Sequence, residues 1–113
     1  MKFMVEKCTQ ILSDLVLYCY GLGATRLQMD LVPAEDQTTL VLKADIDQLD
    51  PDILERLSRD LKQDRQKEVE EMYWSIVYDS SDPCEPTTIG MMLDNVEVHY
   101  ENNVLIIEAC RKN

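Results

Sequence analysis

From Val5 to Tyr20 the apolar residues Val5, Cys8, Leu12, Leu15, Val16 and Cys19 recur at helical spacing, and Gly21 and Gly23 follow as stop signals. The spacing predicts a first helix. A second apolar set, Ile11, Leu17 and Tyr18, lies off that stripe, leaving only Gln10, Ser13 and Asp14 to interrupt it. A helix that is apolar nearly all round is covered on more than one side, so these three residues are candidates for contact with a second copy or a neighbouring helix. Over residues 24–32 the period changes. Leu27, Met29 and Leu31 alternate with Arg26, Gln28 and Asp30, as a half-buried strand requires, and Pro33 ends the run. A turn through Gln37 leads to Thr38–Ala44, a second β-rich run, and the pair reads as an antiparallel hairpin.

Asp50 and Pro51 open the next helix, aspartate as N-cap and proline in the first turn, with Ile53, Leu54, Leu57 and Leu61 as its buried stripe. Beyond the charged joint at 62–67, Val69, Met72, Tyr73, Ile76 and Val77 predict another helix over roughly 66–78, with Trp74 beside the stripe. A polar, proline-marked loop from Asp79 to Pro86 precedes a short helical piece around Thr88–Leu93. Then Val96, Val98 and Tyr100 alternate with Glu97, His99 and Glu101, Asn102 and Asn103 tolerate positive φ, and Val104–Ala109 returns as a second hairpin. Two hairpins with helices grouped on one face predict a two-layer α+β sandwich built on a four-stranded, mostly antiparallel sheet. Leu27, Met29, Leu40, Leu42, Val96 and Val98 are expected on its helix-facing side.

A length of 113 residues with 45% apolar content fits one domain spanning 1–113. Eleven basic against 22 acidic residues give a net charge of −11, which repels phosphate backbones and anionic headgroups. Nucleic acid and membranes are therefore not the expected partners. Met1–Lys7 lacks the apolar run of a signal peptide and no segment reaches membrane-spanning length, so a cytoplasmic location is expected. Cys8, Cys19, Cys84 and Cys110 lack the paired spacing of a zinc or redox site and are read as free thiols.

The element order, together with three stretches, resembles the ATP-binding domain of the histidine-kinase-like ATPases, the GHKL superfamily. Gln10–Tyr18 is similar to that family's first helix, Leu40–Leu57 to its strand, loop and helix, and Ile89-Gly90-Met91-Met92 through Ile107 to its closing helix and hairpin. The resemblance implies a nucleotide cleft, and the motifs that would build it are altered. Where the family has an Asn that holds Mg²⁺ and a Glu one turn earlier, this chain has Asp14 and Gln10, and glutamine has no basicity to activate water. Where the adenine-binding box D-x-G-x-G belongs, Ala44 takes the aspartate position and Ile46 and Gln48 the glycines; a one-residue slip makes Asp45 the acceptor. Thr87-Thr88-Ile89-Gly90 stands where a glycine-rich turn would hold phosphates.

Gln10, Asp14, Asp45 and Gly90 are accordingly the expected remnants of a ligand site, and no catalytic or metal-ligating set is assigned. The acidic run Asp45, Asp47, Asp50 and Asp52 lacks the glycine and third carboxylate of a calcium loop and reads as helix capping plus a solvated turn. His99 lies between Glu97 and Glu101 on the polar side of a strand and reads as a surface residue. The leading expectation is a non-catalytic regulatory or protein-interaction module that needs no cofactor and works through a protein partner or self-association in a bacterial signalling setting. The alternative is an ATP-binding protein or anti-sigma-type kinase, with Asp14 on Mg²⁺ and Asp45 reading adenine.

Overall fold

Alternating side chains along four runs build the sheet, and the computed structural model shows how the helices cover it. The structure describes residues 2–63, 66, 68 and 86–112. In chain order the elements are α1 (Lys2–Gly21), β1 (Arg26–Pro33), β2 (Gln37–Asp45), α2 (Pro51–Leu61), α3 (Pro86–Gly90), β3 (Asn95–Glu101) and β4 (Val104–Lys112). All of the helix expected over 66–78 except residues 66 and 68, with Trp74, and the loop cysteine Cys84 fall outside the described residues.

The four strands form one antiparallel sheet in the order β1-β2-β4-β3, so the two hairpins meet through β2 and β4. Residues on one rung share a face. Met29, Leu42, Ile107 and Val98 form one rung, and Leu31, Leu40, Ala109 and Val96 the next. All six residues expected to face the helices do share that side. Leu40, Leu42 and Val96 are buried and Leu27 and Val98 partly so, but Met29 is 52% exposed, because α1 does not reach over the outer side of β1. The core gathers Cys8, Ile11, Leu15, Leu57 and Ile89 from the helices, and Met92 from the turn after α3, onto Leu42, Leu105 and Ile107 of the sheet.

α1 ends at its first glycine, Gly21, and closes on its second. Ala24 N–H donates to Cys19 O at 3.1 Å and Gly23 N–H to Tyr20 O at 3.0 Å, the two bonds of a Schellman closure, and Gly23 takes φ +98. Ala24 completes this closure and Thr25 N–H bonds to Asp45 O at the sheet end, and the ladder of β1 begins at Arg26 rather than at residue 24. Pro33 is the last residue of β1, an edge strand, where a missing N–H disturbs no ladder. α2 starts as its sequence predicts: the Asp50 carboxylate accepts from Asp52 N–H at 2.9 Å and Pro51 fills the first helical position. Asn102 and Asn103 carry φ +54 and +63 in the tight β3–β4 turn.

Candidate functional site

The candidate ligand-site residues lie on three elements, α1, the end of β2 and α3. Gln10 and Asp14 lie one turn apart on α1, and Gln10 Nε2 donates to Asp14 Oδ1 at 3.4 Å. Asp14 is 3% exposed, on the helix side packed towards the chain's own interior. Asp45 is the last residue of β2, half-buried, on the terminal rung with Arg26 and Val104. Its carbonyl accepts from Thr25 N–H at 2.9 Å, so its main chain closes the sheet end.

The segment after Asp45 is filled from within. Ile46 and Leu49 are 2% and 9% exposed and belong to the hydrophobic core. Ile46 N–H donates to Asn103 O at 2.9 Å. The Tyr100 hydroxyl donates to Ile46 O at 2.5 Å and accepts from Leu49 N–H at 3.2 Å, with Asn103 Oδ1 also 3.2 Å away. One phenol thus fixes both ends of the segment to the β3–β4 hairpin. Gln48, at the centre, has φ +52, the left-handed backbone that glycine adopts more readily than any side-chain-bearing residue.

Gly90 closes α3 and is buried against the end of α2. A Cβ there would stand 2.6 Å from Leu61 O and 2.7 Å from Asp60 O, so glycine is required by the close approach of two backbones. This packing accounts for the residue without reference to a phosphate.

Ile11, Leu17 and Tyr18 do not form one surface. Ile11 is fully buried in the chain's own core, so it is not available to a second copy, while Leu17 is 47% exposed. Tyr18 is partly buried against the core; burial, helped by neighbouring Cys19 and Asp60 and opposed by Arg56, raises its hydroxyl pKa. Burial pushes the Cys19 thiol up to about 12, so it stays protonated and unreactive at neutral pH. Cys8, Cys19 and Cys110 are free thiols, and His99 is exposed on the open face of the sheet.

Two residues matter that the sequence pattern left aside. Tyr100 was placed only as an apolar strand position. Arg111 is 1% exposed, and its Nη1 donates to Met92 O at 2.7 Å, tying β4 to the chain leaving α3. It continues the inward parity of Leu105, Ile107 and Ala109, a signal visible once β4 is carried past Ala109.

Among the described residues no three His, Cys, Asp or Glu side chains converge on a point, and no helix is long and apolar enough to cross a membrane. Set against protein-family models, curated proteins and solved structures, the chain matches none.

Proposed function

We propose that this chain is a non-catalytic regulatory module that acts through protein contacts in the cytoplasm, on a shell resembling a GHKL domain whose nucleotide place is filled. One observation carries this reading: Ile46 and Leu49 are buried, and tied down by Tyr100, where the resemblance would put adenine. A nucleotide entering there would have to expel two core side chains and break both hydroxyl bonds. The net charge of −11 suits basic or neutral protein partners and not polyanions.

The second reading, an ATP-binding protein with divergent motifs, draws on the left-handed backbone at Gln48, which has the conformation a glycine of the adenine box would take. A thermal scan with and without millimolar Mg-ATP and Mg-ADP separates the two. A nucleotide at about 100 times its dissociation constant would stabilise the fold by roughly 2.7 kcal/mol, several degrees for a domain of this size. Flat traces are expected for the natural chain and for Asp14→Asn. A saturable rise that Asp45→Ala abolishes would replace the proposal with the ATP-binding reading.

A further inference from the structure

Among the described residues no strand pairs with the outer edge of β1, and this edge differs from an ordinary sheet margin in its backbone, its apolar side chains and its charges. Ile46 N–H donates to Asn103 O on its own rung, so even-numbered positions of β2 direct their main-chain groups to β4 and odd-numbered ones to β1. Arg26, Gln28, Asp30 and Val32 stand opposite Asp45, Lys43, Val41 and Thr39 and are bonded to β2. Leu27, Met29 and Leu31 therefore point their N–H and C=O groups outward from the sheet. Beside them, Thr9, Leu12, Ser13 and Val16 of α1 line a groove of about 320 Å³ against Met29 and Leu31. Met29 is 52% exposed and Val32 57%.

We infer that β1 pairs antiparallel with β1 of a second copy, with Gln28 on the two-fold axis, to give a continuous eight-stranded sheet. This deepens the protein-contact reading above and rests on it. Charge selects the register. With Gln28 on the axis, Arg26 faces the second copy's Asp30 twice on the open side, and Leu27 faces Met29 twice on the helix side. Placing Met29 on the axis sets Arg26 against Val32, and placing Asp30 there sets two aspartates against each other. Only the first register uses both charges, and among the described residues neither Arg26 nor Asp30 has an ion pair or side-chain hydrogen bond within the chain. The main-chain parity is also met, since Leu27 and Met29 are both outward-directed. α1 packs across β1 and β2, so two such helices would lie about two strand spacings apart, roughly 10 Å, a helix-packing distance at which each closes the other's groove. The opposite edge is not suited to this, because β3 presents Glu97 and Glu101 on its open side.

The test is sedimentation equilibrium of the full chain from about 10 to 500 μM, with Arg26→Asp, Asp30→Arg and the double exchange. The expected result is a concentration-dependent species of twice the 13.1 kDa chain mass. Each single exchange should weaken it about tenfold or more by replacing two attractions with two repulsions, and the double exchange should restore it. Both positions are exposed, so circular dichroism and melting should show all three variants folded. Monomer throughout, or single exchanges without effect, or a double exchange that fails to rescue, overturns the pairing. A monomer whose melting ignores Mg-ATP would overturn the pairing and leave the protein-contact reading standing; a monomer stabilised by Mg-ATP would overturn both.

Discussion

The two margins of the sheet are finished in opposite ways. At the β3 margin α2 packs over the strand, with Leu54 near Val98, Tyr100 ties the segment after β2 to the hairpin, and Glu97 and Glu101 place like charges on the edge. At the β1 margin the helix stops short, Met29 and Val32 are more than half exposed, and the charges alternate in sign. A strand edge left bare is normally guarded by charge, proline or a covering element. Among the described residues one margin has the cover and the like charge, and the other has Pro33 at its far end and charges of opposite sign. The difference separates a margin fixed within the chain from one with main-chain groups and apolar surface left to offer.

The contrast can be broken most severely at the covered side. Gly90→Ala would force a Cβ against Leu61 O and Asp60 O, both main-chain atoms, and is expected to destabilise the fold by about 2–3 kcal/mol in urea or thermal melts. Unchanged melting would mean that the approach of α3 to α2 does not fix that side. Tyr100→Phe keeps the ring and removes the hydroxyl that serves Ile46 O and Leu49 N–H. The expected loss is about 1.5 kcal/mol, since water reaches this half-buried site in part, and faster amide exchange at Leu49 would report the same event. The smallest effect belongs to the bare margin. Met29→Thr, measured at micromolar concentration where copies stay apart, should change stability by no more than about 0.5 kcal/mol, because its side chain is already mostly in water. A large loss there would show that this margin, too, is held by contacts within the chain.

Much of the fold was legible because local chemistry and tertiary packing agree. Period-two runs gave four strands and their two hairpins, though not the joining of β2 to β4, Asp50-Pro51 marked the start of α2, and Asn102-Asn103 marked the last turn. The candidate site was less legible, because its residues are explained by neighbours far away in the chain. That Gly90 meets the carbonyls of Asp60 and Leu61 depends on how α3 crosses the end of α2, which no local pattern encodes. Ile11 looked like surplus apolar surface on α1 until the structure enclosed it in the core that Ile89 and Met92 of the α3 region also enter. Arg111 was missed for a different reason: a charged residue at an inward position reads as the end of a strand, and only its bond to Met92 O shows why the strand continues.

The pairing of β2 with β4 also bears on how the chain reaches its native state. Each hairpin can close through a short turn, but a two-stranded ribbon is at best marginally stable in water. The core rungs of Leu40, Leu42, Ile107 and Ala109 exist only once residues 37–45 find residues 104–112, across everything that lies between. Closing so long a loop before its contacts repay the lost entropy makes the search slow, which puts folding nearer the millisecond-to-second range of sheet-dominated domains than the microseconds of helical bundles. Until that meeting both edges of the β1–β2 ribbon are unpaired, and the transient ribbon is the species most exposed to capture by another chain.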